Sequence, residues 1–168
     1  MPITMYQASI PAFQKMLTNL TGILVKAEAY AEARKIDPAV LLSTRIFPDM
    51  FPLVKQVQIA ADFAKGAGAR LAGLEVPSFP DTEATFAELR ERLAKTQAFL
   101  STLTPEQIDG SEERPITIKG HGMEFHFKGL DYLTSFALPN FYFHLTTAYA
   151  ILRGSGLDLG KGDFMGPV

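Results

Sequence analysis

The sequence predicts an all-α protein, a four-helix bundle with a short β-hairpin before the last helix. Apolar residues recur every three or four positions in four separate stretches, which is the spacing of helices with one buried face. Between the third and fourth stretches the spacing changes to every second residue around two glycines, as in a hairpin. With 168 residues, 47% of them hydrophobic, we expect one domain over residues 1–168.

The first predicted helix begins near the N-terminus. Thr4 and Gln7 have the spacing of a capping box, which favours a start at Thr4. Pro11 lacks a backbone donor, so the alternatives are a kink or a start near Ser9. One apolar stripe defines the helix: Tyr6, Ile10, Phe13, Leu17, Leu20, Leu24 and Ala27.

A connection separates this helix from the second, because Asp37-Pro38 and Pro48 interrupt the helical spacing. The second predicted helix runs from Asp49 to Ala72 and ends at Gly73. Asp49 is favoured as its N-cap, because a carboxylate can accept the free N–H groups of the first turn. Two glycines weaken its last turns, each by about 1 kcal/mol relative to alanine: Gly66 and Gly68.

The third predicted helix is capped by Asp81 or Thr82 and stopped by Thr104-Pro105. Its apolar stripe is Phe86, Leu89, Leu93, Leu100 and Leu103. The hairpin follows over residues 115–129, with one apolar face: Ile116, Ile118, Met123, Phe125 and Phe127. His121 lies in its turn, and His126 points to the opposite face, toward solvent or a subunit contact.

The fourth predicted helix runs from Gly129 to Gly154 and contains Pro139, Asn140 and His144 within a nearly apolar stretch. The glycine-rich tail after it is expected to lack regular structure, with two apolar residues able to pin it to the body: Phe164 and Met165.

Composition and charge exclude several partners and sites. A net charge of −2 and a pI of about 5.9, with scattered lysines and arginines, argue against nucleic acid. The absence of cysteine removes disulfides and thiolate sites and fits the cytoplasm. The N-terminus has no signal-peptide pattern, and the apolar stretch of the fourth helix is too short and interrupted for a membrane span.

Three stretches, residues 45–77, 116–129 and 139–164, resemble a bacterial family, domain of unknown function 1993, and the resemblance covers nearly the whole chain. That family is similar to the DinB/YfiT-like superfamily of four-helix bundles. The resemblance implies a divalent metal held by one histidine of the second helix and an H-x-x-x-H pair of the last. Here that pair is Asn140 and His144, and the second helix has no histidine. An amide oxygen is a poor ligand for zinc or nickel, so we expect no cofactor, with a divalent metal as the alternative.

The candidate residual site contains His144, Asn140, Asp49 and Gln58. Pro139 leaves the carbonyl of Ser135 without its helical donor, so a small polar pocket can form beside these groups. The alternative for His144 is a buried histidine bonded to Asn140, Asp49, a glutamine of the second helix or a tyrosine of the first.

Two classes of function fit the sequence. The first is a non-catalytic binding or interaction protein with a degenerate metal site and a small-molecule ligand. The second, which the resemblance implies, is a metal-dependent or histidine-based enzyme of the DinB/YfiT-like type: a thiol-dependent transferase, or a hydrolase with His144 as base. A homodimer is also expected, because the fourth helix has more apolar surface than one face can bury: Phe136, Tyr142, Phe143, Tyr149 and Ala150.

Overall fold

A computed structural model of the chain describes residues 2–120 and 122–167. These residues are mostly helical and carry one two-stranded antiparallel sheet. The helices within them are α1 (Met5–Arg34), α2 (Pro38–Ser43), α3 (Leu53–Ala72), α4 (Phe86–Leu100), α5 (Pro105–Ile108), α6 (Gly129–Tyr132), α7 (Leu138–Gly154) and α8 (Lys161–Met165). The strands are β1 (Pro115–Gly120) and β2 (Met123–Lys128), and a π-helical turn, Leu133–Ala137, joins α6 to α7.

The core lies between the long helices α1, α3, α4 and α7. Helix α3 packs on both α4 and α7, and α1 packs on the other three. Phe13 of α1 meets Phe141 of α7 edge to face, with ring centroids 4.9 Å apart, and both rings are fully buried. Burying a side chain of this size stabilises the fold by about 1.5 to 3 kcal/mol. The predicted apolar stripes therefore do face a common core.

Helix α1 begins where the capping box predicts. The Thr4 hydroxyl accepts a bond from the Gln7 N–H, and the Gln7 side chain accepts one from the Thr4 N–H. Pro11 lies inside this helix, so the alternative start near Ser9 is wrong. The cap satisfies donors that a helix end otherwise leaves free, which fixes the start upstream of the proline.

Two predicted starts were placed too early. Helix α3 begins at Leu53, and Asp49 lies in an exposed turn, so Asp49 is not its N-cap. Pro48 and Pro52 hold the intervening residues in a turn, where the Met50 N–H bonds to the Phe47 carbonyl. Helix α4 begins at Phe86 with a capping box of Thr85 and Glu88, so neither Asp81 nor Thr82 is its cap.

Three short helices were not predicted. Helices α2 and α5 begin at Pro38 and Pro105, because a proline that stops one helix is well suited to the first position of the next. Helix α8 forms in the glycine-rich tail, contrary to the prediction. Its Phe164 packs on Tyr149 with ring centroids 5.9 Å apart, which pins the tail as predicted, whereas Met165 is exposed.

The predicted fourth helix is interrupted before Pro139. In the π-helical turn the Leu138 N–H reaches back five residues to the Leu133 carbonyl, and Pro139 then falls within the first turn of α7. The two glycines of α3 do not shorten that helix, which continues to Ala72 and ends at Gly73 in a left-handed conformation.

The hairpin has the predicted alternation. Ile116 pairs with Phe127 and Ile118 with Phe125, and the burial of this face decreases toward the turn. His126 is on the outer face, exposed, with its Nδ1 3.1 Å from the Thr117 hydroxyl. The prediction for His121 lies outside the described residues.

Candidate functional site

The candidate site lies along one edge of the contact between α3 and the segment from α6 to α7, where its side chains are buried or half-buried. Residues seven apart on a helix share a face, and α3 places three such residues against three of the facing segment. We call this set the α3–α7 seam: Gln56 with His144, Phe63 with Phe136, and Arg70 with Tyr132.

His144 occupies one end of the seam and is 8% exposed. Its Nδ1 lies 2.7 Å from Oε1 of Gln56, while Nε2 of Gln56 donates to the Phe51 carbonyl at 3.0 Å. Because Oε1 can only accept, the hydrogen must be on Nδ1 of His144. Nε2 therefore carries a lone pair. Burial lowers the pKa of His144, so the ring is neutral at pH 7.

Aromatic rings fix the plane of His144. Phe63 stacks nearly parallel to the imidazole with centroids 6.0 Å apart, and Phe143 meets it edge-on at 5.1 Å. Within residues 2–120 and 122–167, the hydrogen bond and the ring pairs of His144 are thus with one amide and two phenyl rings. None of them can transfer a proton or act as a nucleophile.

The other predicted site residues lie elsewhere. Asn140 is half-buried, and its amide donates to the Phe136 carbonyl at 2.8 Å, one turn back on its own helix, rather than pairing with His144. Gln58 donates to Glu83 at 2.8 Å, because two residues along α3 rotate its side chain by about 200° away from Gln56. Asp49 stays in its exposed turn. The glutamine that meets His144 is Gln56.

Sequence reasoning missed three other residues of the seam, Phe63, Arg70 and Tyr132, and placed Phe136 in a dimer contact. The signal that could have found Phe63 and Arg70 is their seven-residue spacing from Gln56 along α3. That spacing gave no distinct signal, because most of the other residues of α3 belong to its buried apolar face.

The donor atoms near His144 do not fit the divalent metal that the resemblance implies. One imidazole nitrogen is free, the Gln56 oxygen is bound to the ring, and the Asn140 amide is bound to the backbone. Zinc and nickel sites in proteins need several nitrogen, thiolate or carboxylate ligands converging on one point. No group of three such side chains occurs in residues 2–120 and 122–167.

Arg70 occupies the other end of the seam. Its guanidinium donates to the Tyr132 hydroxyl at 3.1 Å and lies 5.9 Å from the centre of that ring. It folds back over Gly66, where a β-carbon would come within 2.5 Å of the guanidinium. The glycine that weakens the helix therefore gives the arginine its position. Burial raises the pKa of Tyr132, so its hydroxyl stays protonated.

An ion cluster around the buried Arg92 holds the segment between α3 and α4 beside the seam. Arg92 is 2% exposed and pairs with Asp62 at 2.9 Å and with Asp81 and Glu83 at 3.0 Å. Burial alone would raise the pKa of Glu83, but hydrogen bonds from Arg92 and Gln58 outweigh it and lower that pKa. Residues 74–85 are thereby tied to both helices.

Two cavities adjoin the Arg70 end, and both are lined by Asp62 and Arg70. The first, about 210 Å³, is otherwise apolar, with walls of Phe63, Ile118 and Phe136. The second, about 310 Å³, lies under the 74–85 segment, with Lys65 and Phe79 in its wall.

No helix among residues 2–120 and 122–167 is long and apolar enough to cross a membrane.

Comparison with known proteins agrees with this architecture. The crystal structure of a DinB family member protein from Shewanella denitrificans is 40% identical to this chain, with a TM-score of 0.88 over 97% of this chain and 92% of that one. The fold is thus that of the DinB-like class. A family model described as a domain of unknown function, DUF1993, matches residues 5–165. The chain belongs to this family. No curated protein matches it.

Proposed function

We propose that this protein is a non-catalytic binding protein, a DinB-like four-helix bundle of one domain that holds a small molecule along the α3–α7 seam. The observation that carries the proposal is the state of His144. Its Nδ1 is bonded to Gln56, its plane is fixed by Phe63, and in the part of the chain that the structure describes its hydrogen-bond and ring partners carry no reactive group. Such a ring can orient or bond a ligand through Nε2 but has no second group to share a reaction with.

The metal site of the superfamily is degenerate in this proposal. One free imidazole nitrogen beside committed amides should hold zinc or nickel weakly. The test is to incubate the purified protein with nickel and with zinc, dialyse it, and measure the bound metal. We expect far less than one ion per chain, and stoichiometric metal in the dialysed protein would refute this part of the proposal.

The binding role itself is tested with a panel of small molecules that includes neutral aromatic compounds, measured by thermal shift and by NMR. A ligand that binds the folded state raises the melting temperature. Resonance changes confined to the seam support the proposal. A panel that binds nowhere, or at a site away from the seam, contradicts it.

The second candidate is an enzyme of the hydrolase or thiol-transferase type with His144 as base. It is favoured by one observation, the lowered pKa of His144 with an acceptor nitrogen free at Nε2. Hydrolysis of p-nitrophenyl acetate, or thiol addition to an electrophile, that disappears in His144→Ala would establish this candidate instead. The same activity in the variant would show that the histidine is not its base.

We also propose that the protein forms a homodimer through α7. Phe136 and Tyr149 pack under the hairpin and the tail, respectively, while Tyr142 and Phe143 are 38% and 56% exposed. A twofold contact would cover both rings with their equivalents in a second copy.

A further inference from the structure

We propose that the ligand of the seam is a small organic acid, with its carboxylate on Arg70 and Lys65 and its flat apolar body in the cavity that Phe63 and Phe136 line. This inference rests on the proposed binding function and adds the chemical class of the ligand. It is carried by the two cavities beside Arg70, one apolar and one bordered by a second cation.

The charges around the cavities leave Arg70 without a counter-ion. The connected ion pairs join three cations, Lys55, Lys65 and Arg92, to three carboxylates, Asp62, Asp81 and Glu83. Arg70 adds a fourth cation, and no carboxylate pairs with it within residues 2–120 and 122–167. One positive charge at the common wall of both cavities is therefore uncompensated.

Asp62 also lines both cavities but does not oppose an anion. Its Oδ1 accepts from Lys65 at 3.0 Å and from Arg92 at 2.9 Å, so two cations share this carboxylate. Lys65 is 3% exposed, and its ammonium lies 4.1 Å from the centre of the Phe79 ring. An ammonium has three donors, and these two contacts leave it able to bond an anion in the second cavity.

The guanidinium is held in place before any ligand arrives. Tyr132 accepts one of its five N–H groups, and the missing side chain of Gly66 lets it lie against the helix. A planar fork of this kind matches a carboxylate with two parallel bonds. Because the arginine is already ordered, binding loses little side-chain entropy.

The apolar cavity indicates the chemistry of the part of the ligand that does not carry the carboxylate. Its walls are two phenyl rings and an isoleucine, and its volume of about 210 Å³ exceeds the roughly 150 Å³ that accommodates benzene in an apolar protein cavity. The hairpin borders this cavity, since Ile118 of β1 lines it and Phe127 of β2 packs on Phe136 with ring centroids 5.2 Å apart. An aromatic ring with one carboxylate fits the arrangement.

The test compares benzoate with its neutral isostere benzamide and with acetate, by NMR titration of the full chain. We expect benzoate to bind with resonance changes at Arg70 and Phe63, and both other compounds to bind about tenfold or more weakly, because each lacks one half of the interaction.

Arg70→Met tests the contribution of the arginine charge to binding separately from that of the apolar cavity. We expect it to weaken benzoate binding by about 10- to 100-fold, since a bond to a charged group is lost, and to leave benzamide binding unchanged. Arg90→Met is the matched control, because Arg90 pairs with Glu28 away from the seam, and it should change neither affinity.

Three results would overturn the inference: benzamide binding as tightly as benzoate, equal loss of benzoate binding in both variants, or no benzoate binding. In the first case the proposed binding function is retained, but the ligand is not an organic acid. If benzoate and the neutral aromatic compounds of the panel all fail to bind, the proposed binding function is refuted as well.

Discussion

His144 is buried and His126 is exposed, so a substitution of His126 serves as the control for the same substitution of His144. His144 is 8% exposed and bonded to Gln56, whereas His126 lies on the outer face of the hairpin. We expect His144→Ala to lower the free energy of unfolding by about 1 to 3 kcal/mol, through lost packing and an unpaired amide. His126→Ala should change it by less than about 0.5 kcal/mol. Chemical denaturation measures both.

A different outcome would change the assignment of His144. If His144→Ala unfolds at the same denaturant concentration as the unmutated protein but no longer binds ligand, then the ring contacts the ligand and does not contribute to the free energy of unfolding.

The same histidine makes stability depend on pH. Burial lowers the pKa of His144 in the folded protein, so the unfolded chain takes up the proton first as the pH falls. Its contribution is therefore complete above the unfolded pKa of about 6.5 and is lost as the pH falls from there through the folded pKa. NMR titration of the folded protein should give His144 a pKa below the unfolded value of about 6.5, and a pKa above that value would contradict the buried neutral ring.

At the scale of the element, Gly66 weakens α3 but leaves the space that the Arg70 guanidinium occupies. Gly66→Ala should gain up to about 1 kcal/mol of helix propensity but displace the guanidinium, whose far end would be 2.5 Å from the new carbon. We expect a folded protein that has lost most of its affinity for benzoate. Gly22→Ala in α1, with no atom within 4 Å of the new carbon, is the control and should keep that affinity. Unchanged benzoate binding in Gly66→Ala would mean that Arg70 does not need this position.

The segment between α3 and α4 depends on one buried arginine. Arg92→Met leaves Glu83 without its ion-pair partner and Asp62 with Lys65 alone, and we expect a loss of about 3 kcal/mol in the free energy of unfolding. Arg90→Met, which removes a more exposed ion pair with Glu28, should lose less than about 1 kcal/mol. Limited proteolysis should cut residues 74–85 faster in Arg92→Met, and equal cutting in both variants would show that the ion cluster does not hold the segment.

For the whole molecule, the exposed rings of α7 predict self-association. Light scattering at micromolar concentration should give about twice the chain mass of 18.4 kDa. Phe143→Glu should shift the protein toward monomer with its helical content retained, because the ring is 56% exposed and outside the core. Val25→Glu, on an exposed position of α1, is the control and should stay dimeric. A monomer at high concentration in the unmutated protein would refute the dimer.

The elements that sequence patterns predicted well are those with long, regular spacing. The stripe from Tyr6 to Ala27 and the capping box of Thr4 are local features, and both recur in the structure. The predicted starts of α3 and α4 were wrong because Asp49, Asp81 and Thr82 are residue types that favour an N-cap in their local sequence. Asp81 is drawn instead to Lys55 and Arg92, which only the folded chain brings close to it.

The sequence alone determined that the protein is helical, that a hairpin precedes the last long helix, and that His144 is a polar group within an apolar stretch. These follow from periodicity and turn residues, which act over a few positions of the chain. Only the tertiary structure decided that His144 meets Gln56 rather than Gln58, that Asn140 bonds to its own helix, and that Arg70 lies beside two cavities. Those outcomes depend on the rotation of α3 against α7, which is set by packing between residues far apart in the chain.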